Sequence, residues 1–258
     1  MSRHTRQIVL VFALMLSSSG PLLAQTPAAQ PQTPPPAPPP PPPPPREGTA
    51  EFSFVGTSGN AETSAIGLGG EYIVRRQPWM LRGKVGYVRN ESEGELKAEA
   101  FRGLFRISRT LTERLSAFGE YGYLHDRFAG IESRNTIDGG VTYAVLRPKP
   151  HQLDVDAGIG YAHENRVLGD NLSTAQALTG ARYKFLLSDT AEISDDVRLS
   201  FSLSEADDWR GDNVAALTVK VASIFSLKVS NAVRYVNAPA AGFETTDVIT
   251  SIALVAKF

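Results

Sequence analysis

The 258-residue chain carries four histidines and no cysteine. Without a thiol there is no disulfide, no thiolate nucleophile, no cysteine metal site and no acylated cysteine of the kind that anchors a bacterial lipoprotein. His4 belongs to an N-terminal leader, and His125, His151 and His163 stand at the ends of separate alternating runs. That spacing suggests neither a triad nor a metal cluster. Adjacency offers His125 with Asp126, and the doublet Asp207 and Asp208, as an acid/base site for a surface hydrolase. Neighbours on a strand point to opposite faces, however, which scatters such pairs. No catalytic, cofactor-binding or metal residue is assigned, no cofactor is implied, and the chain is not read as an enzyme. A barrel-type outer-membrane hydrolase is the alternative of that class, and its turnover would disappear on His125→Ala.

The remaining charged residues fall into a pattern. Glu51, Glu71, Arg82, Lys84, Arg102, Arg106, Glu120, Asp138, Asp154, Asp156, Arg182, Lys184, Arg198, Lys220 and Arg234 all occupy the same phase of a period-two alternation. Both signs are mixed, so a surface built from them lacks strong ion selectivity. Such a row needs strands to hold it. In "HQLDVDAGIGYAHE", Leu153, Val155, Ala157, Ile159 and Tyr161 share one face, while Asp154, Asp156, Gly158 and Gly160 share the other. "SDDVRLSFSLS" and "WMLRGKVGYV" divide in the same way.

Proline marks where strands are excluded. Fourteen of the eighteen prolines precede Arg46, and the others, Pro78, Pro148, Pro150 and Pro239, fall between alternating runs. From residue 48 onward the alternation predicts about twelve strands, near 49–57, 63–75, 79–90, 97–108, 114–125, 134–146, 151–163, 173–186, 191–204, 213–225, 228–237 and 246–258. Their lengths suit tilted bilayer-crossing strands better than the five or six residues of soluble ones. No run of eighteen apolar residues provides a membrane helix, and a net charge of -1 gives no sign of a nucleic-acid partner.

A soluble barrel binding an apolar ligand shares this alternation, with the apolar face turned in. The connections and the aromatics favour the inverted arrangement. Short connections ("RQP", "TLTE", "RPKP", "LSDT", "SL") alternate with longer ones ("SGNAE", "NESEGEL", "DRFAGIES", "ENRVLGDNLS", "EADDWRGD", "APAAGFETT"), as in outer-membrane barrels whose turns face the periplasm. On the apolar face Tyr72, Trp79, Phe105, Tyr143, Phe185, Phe225 and Phe258 lie toward the turns. Tyr87, Tyr121, Tyr123, Tyr161 and Tyr235 lie toward the loops. Two aromatic belts are what rings at two headgroup levels produce.

The first 24 residues read as a signal peptide, with Arg3 and Arg6, the apolar run Ile8 to Leu16 and a cleavage position at Ala24. Residues 25–47 are proline-rich, a polyproline spacer in the periplasm whose partner there, if it has one, is a periplasmic protein or the cell wall. Residues 48–258 form the barrel. Its partners are the lipid bilayer and, through the amphipathic strand "TTDVITSIALVAKF" ending at Phe258, the outer-membrane assembly machinery.

The stretches "SGNAETSAIGLGGEY", "TERLSAFGEYGYLHDRFAGIESR", "DAGIGYAHE" and the terminal aromatic give residues 48–258 a further meaning. They resemble a family of outer-membrane proteins described as salt-induced, a β-barrel domain family without assigned function. The resemblance implies a Gram-negative outer-membrane barrel tied to osmotic or salt conditions, and supplies no catalytic residues. The proline tract departs from the simple family layout.

The expectation is therefore an all-β, antiparallel transmembrane barrel of about twelve strands. It serves as a narrow channel or as a structural envelope component under salt stress. Twelve strands lie between the filled eight-stranded barrel and the open sixteen-stranded porin, so paired charges are expected to leave the lumen narrow or closed.

Overall fold

The computed structural model describes residues 43–57, 63–240 and 242–258. The signal-peptide reading of 1–24 and most of the proline-rich segment lie outside the described residues. Twelve strands follow in chain order: β1 (Arg46–Thr57), β2 (Thr63–Arg76), β3 (Trp79–Ser92), β4 (Glu95–Thr110), β5 (Leu115–Asp126) and β6 (Ile131–Leu146). Then come β7 (His151–Arg166), β8 (Leu172–Leu186), β9 (Ala191–Ser202), β10 (Trp209–Lys220), β11 (Phe225–Val236) and β12 (Thr246–Lys257). Each pairs antiparallel with its neighbours in sequence, and β1 pairs with β12 to close the barrel. Closure runs through four ladder pairs, Thr49 to Phe52 against Lys257 to Leu254, and joins the first strand to the last as a sheet standing in hydrocarbon requires.

The barrel begins slightly earlier than the sequence suggests. Arg46 and Glu47 already pair with Val74 and Ile73, and the Pro45 carbonyl accepts the Arg75 N–H at 2.8 Å. The end of the proline tract can therefore serve the sheet as an acceptor, the one ladder role proline keeps.

Two connections differ from the expectation. The stretch "NESEGEL" is not a long loop: β3 and β4 pair up to Ser92 and Glu95, joined only by Glu93 and Gly94. Both turn residues have positive φ, 54° and 74°. A two-residue turn of that hand matches the twist of the flanking strands, and glycine takes its second position without strain. The second difference concerns 213–225 and 228–237, which the structure replaces with Trp209–Lys220 and Phe225–Val236. Alternation runs unbroken through "VKVASIFSLKV", so period alone cannot place that turn. The hydrogen bonds can: the Val221 and Ala222 N–H groups both reach the Phe225 carbonyl at 3.0 Å. At the opposite end Trp209 joins the strand because its ring lies beside those of Phe201 and Tyr235, with centroids 6.5 and 4.7 Å away.

The faces divide as alternation requires. Apolar side chains such as Ile137, Ile159 and Val248 stand outward and exposed, in the position of lipid contacts. The aromatics assigned to the two belts lie on this outer face, but Phe105 and Tyr121, expected toward opposite ends, are ladder partners at one level. About half of the buried residues are charged or polar, and the charged ones point inward, among them Arg106, Glu120, Asp138, Asp156, Glu164 and Arg210.

Candidate functional site in the barrel lumen

The inward charges are brought together, and their partners lie on strands far apart in the sheet. Arg106 on β4 donates to Glu120 on β5 at 3.2 Å, to Asp156 on β7 at 3.0 Å and to Thr142 on β6 at 2.8 Å. Its guanidinium lies 3.7 Å from the centre of the inward Phe118 ring. Asp156 also accepts from Arg182 on β8. Arg198 on β9 forks between Glu120 and Asp138, reaching the latter at 2.6 Å, and Gln176 donates to Asp138 at 2.8 Å. Three guanidiniums thus meet three carboxylates, and the Asp138 side chain is fully buried. Buried charges persist only where each has partners, and here each carboxylate has at least two.

A second cluster lies nearer the loop end. Glu164 on β7 accepts from Arg134 on β6 at 2.9 Å, from Arg210 on β10 at 2.7 Å and from Arg166 at 2.9 Å. Arg210 lies 3.5 Å from Asp208 as well.

Two further pairs cross the barrel. Arg102 on β4 contacts Asp212 on β10 at 3.3 Å, and Arg234 on β11 contacts Asp126 on β5 at 2.7 Å. In both, the strands are half a circuit apart. A circular twelve-stranded barrel has a backbone diameter of about 24 Å. An arginine and an aspartate together reach only about 10 Å. The section is therefore oval, pinched between β4–β5 and β10–β11.

The pinch separates two unlike lobes. Toward β6–β9 the lumen is packed: Asp138, Asp156, Glu164, Thr174, Gln176 and Leu178 are all buried. Toward β12 and β1–β3 the inward residues are less buried, and the pairs there, Arg82 with Glu71 at 2.7 Å and Arg75 with Glu47 at 3.0 Å, are only half-buried. Ile249 remains 43% exposed, Lys84 is exposed, and a Cβ placed on Gly86 would meet no atom within 4 Å. Lys228 and Glu51 pair across this wall at 2.9 Å. Near the rim that carries the short turns Ile73, Ala253 and Val255 are buried on the inward face and narrow this lobe. At the pinch Arg102 is 47% exposed, so water reaches that pair.

The acid/base pairings raised by adjacency are taken apart. His125 points outward, its Nδ1 donating to the Glu132 carbonyl, whereas Asp126 points inward to Arg234 and also accepts the Ala129 N–H at 3.1 Å. Asp208 faces Arg210, while Asp207 is engaged through its backbone carbonyl by Trp209 and Asn237. His163 bonds Ser173 at 2.7 Å and His151 bonds Tyr183 at 2.7 Å, both on the outer face.

All fifteen charges assigned to the inward phase lie on the inward phase of the strands as paired, but several partners were not anticipated. Arg134, already inside the run at 134–146, shares its phase with Asp138, and Glu164 shares that of Asp156 and is found once β7 is extended to its true end. Lys228 shares the phase of Arg234 and is found in the same way. Asp208 lies in the β9–β10 connection, whereas Arg210 and Asp212 were assigned to a loop that the structure makes part of β10. Asp126 marks the end of β5.

Residues 50–258 match the family described as "Protein of unknown function, DUF481", and the chain belongs to that family. It is 25% identical over 213 residues to the uncharacterized protein YdiY of Escherichia coli strain K12, covering 81% of each chain. Among solved structures it is similar to the NanC porin, with 7% identity, a TM-score of 0.46 and coverage of 82% of this chain and 97% of that one. It is also similar to the translocator domain of the autotransporter NalP from Neisseria meningitidis, with 15% identity, a TM-score of 0.43 and coverage of 83% and 86%. The KdgM porin gives 7% identity, a TM-score of 0.40 and coverage of 83% and 98%. The chain is an outer-membrane β-barrel protein, with a closed sheet, an apolar outer face that carries aromatic rings, and a polar interior.

Proposed function

We propose that this member of the family acts as a narrow outer-membrane channel, a pore of small-ion and water dimensions confined to one lobe of an oval lumen. The observation that carries this reading is the asymmetry of the interior. Ion pairs fill the lobe toward β6–β9, whereas the lobe bounded by β12 and β1–β3 keeps exposed inward groups at Lys84 and Ile249. Lining charges of both signs favour passage by size over passage by sign.

The link to salt belongs to this reading through the pinch. Arg102 and Asp212 face each other in water-accessible surroundings, where attraction between charges is screened. The screening length shortens from about 8 Å at physiological ionic strength to about 3 Å at 1 M. High salt thus loosens the pinch while leaving the buried pairs of the packed lobe intact. In the cell the protein sits in the outer membrane with its N-terminal segment in the periplasm. The assembly machinery engages β12 and Phe258, and the proline-rich segment holds the barrel to a periplasmic or cell-wall component.

Planar-bilayer recording on the refolded chain tests the channel. The expected result is a small unitary conductance that increases in the double variant Arg102→Ser/Arg234→Ser, which removes both crossing side chains. Absence of current in both proteins at every salt concentration would leave a closed structural barrel instead.

A further inference from the structure

The outward face is not uniformly apolar. Asp195 on β9, Asn213 on β10, Asn231 on β11 and Thr250 on β12 all project outward. Their strand neighbours Arg198, Asp212, Arg234 and Asp247 fix the inward phase on those strands. The side chains are joined in pairs: the Asn213 amide donates to Asp195 at 2.6 Å, and the Asn231 amide donates to Thr250 at 2.9 Å. Ala215 lies between them, opposite both Asp195 and Asn231 in the ladders.

This seam lies inside the hydrocarbon. At the tilt of such strands each residue rises about 2.5 Å along the membrane normal, within an apolar band about 25 Å tall. By that measure Asn231 stands about 15 Å from the Phe225 ring level and about 10 Å from that of Tyr235. Asp195 stands about 15 Å below Phe201. A carboxylate and two carboxamides facing lipid at that depth lack any solvent for their remaining hydrogen-bonding groups. On the opposite wall the outward Val85, Ile137 and Val141 are apolar and exposed, and the outward Asn135 there accepts the Tyr121 hydroxyl at 2.7 Å.

We propose that the seam on β9–β12 is covered in the membrane by the same seam of a second copy of this chain, related by a two-fold axis along the membrane normal between β10 and β11. The occupant follows from complementarity. Each carboxamide has an unspent N–H and an unspent carbonyl after its internal bond, so the patch is donor and acceptor at once. An isologous interface requires that property, because one surface must match itself. With the axis between β10 and β11, Asn213 of one copy faces Asn231 of the other at nearly equal depth. Ala215 permits close approach. The two Asp195 carboxylates fall at the margins, apart from each other, where each orients its own Asn213.

The cysteine-free chain makes a direct test available. The full chain carrying Ala215→Cys, folded alone into phosphatidylcholine vesicles and oxidised, should give a disulfide-linked species of twice the monomer mass. Ile159→Cys, on β7 a quarter circuit from β10 and 69% exposed, should remain single. The double variant Asn213→Val/Asn231→Val should lose the dimer in detergent mass measurement while keeping the heat-dependent gel shift of a folded barrel. A monomeric Ala215→Cys, equal crosslinking by Ile159→Cys, or a dimer that survives the double variant would overturn the proposal. In native outer membranes, an Ala215→Cys adduct of any mass other than twice the monomer would assign the seam to a different protein and overturn it equally.

Discussion

Replacing Arg106 by methionine probes the packed lobe most sharply. The guanidinium is buried, bonded to Glu120, Asp156 and Thr142, and laid over Phe118, so its removal leaves two carboxylates short of a partner in a site closed to water. Removing one member of a buried ion pair costs about 3–5 kcal/mol. Glu120 retains Arg198 and Asp156 retains Arg182, which places the loss at the lower end, about 3 kcal/mol. With a urea dependence of about 2 kcal/mol per molar, the unfolding midpoint in vesicles falls by about 1.5 M. The argument is one of charge balance, so a second change should undo much of it. In Arg106→Met/Glu120→Gln the remaining pairs Arg182–Asp156 and Arg198–Asp138 are neutral and intact, and the loss should shrink to about 1.5 kcal/mol or less. Tryptophan fluorescence against urea reads both. A single variant with an unmoved midpoint, or a double variant at least as unstable as the two single changes summed, would refute the reasoning.

Other tests address the closure and the pinch. Phe258 exchanges backbone hydrogen bonds with Gly48 at 2.8 and 3.0 Å, and its ring occupies the space a Cβ on Gly48 would take. Deleting Phe258, or making Gly48→Val, should reduce the heat-modifiable folded fraction in vesicles, and unchanged assembly of both would count against β1–β12 closure as the assembly-critical seam. Wild-type conductance should rise with salt more steeply than bulk conductivity, because screening acts on the exposed Arg102–Asp212 pair; strict proportionality would sink the salt-sensitive pinch. His125→Ala should leave conductance and folding unchanged, as its ring lies outside the lumen and bonds only a backbone carbonyl; a loss of any hydrolytic turnover in that variant would instead revive the enzyme reading.

How much of this is written in the sequence depends on which period carries the information. The fold, the number of strands and the face of each charge follow from alternation, because one face meets lipid and the other meets polar groups along the whole chain. Turn positions are weaker where the alternation is unbroken, as at Val219 to Val229, and there only the ladder decides. A short turn needing two positive φ values was hidden in "NESEGEL" because the polar residues flanking Glu93 and Gly94 look like loop but pair as strand. The lumen network was legible only as a composition. That Arg198 reaches Glu120 on β5, or that Arg102 reaches Asp212 on β10, depends on the stagger of the closed barrel and on its oval section, which are properties of the whole ring and of no local window. The outward Asp195 and Asn213 passed unnoticed because single polar residues on an apolar face are ordinary; four of them on adjacent strands, level in the membrane, become visible only after pairing.

The same interior charges act both as struts and as obstruction, and burial separates the two roles. A pair sealed from water is costly to break and contributes to stability, whereas an exposed pair contributes about 0–1 kcal/mol whatever its geometry. Arg106 with Glu120 belongs to the first kind, Arg102 with Asp212 to the second, and the partly exposed Arg198 with its buried partner Asp138 lies between them. Removing Arg102 should therefore widen the pore and leave the unfolding midpoint within error of wild type. Removing Arg106 should lower the midpoint and leave conductance nearly unchanged, since Glu120, Asp156 and Phe118 around it are themselves buried. If one variant moved both quantities together, the lumen would be a single cooperative network, and the division into a packed lobe and a conducting lobe would fail.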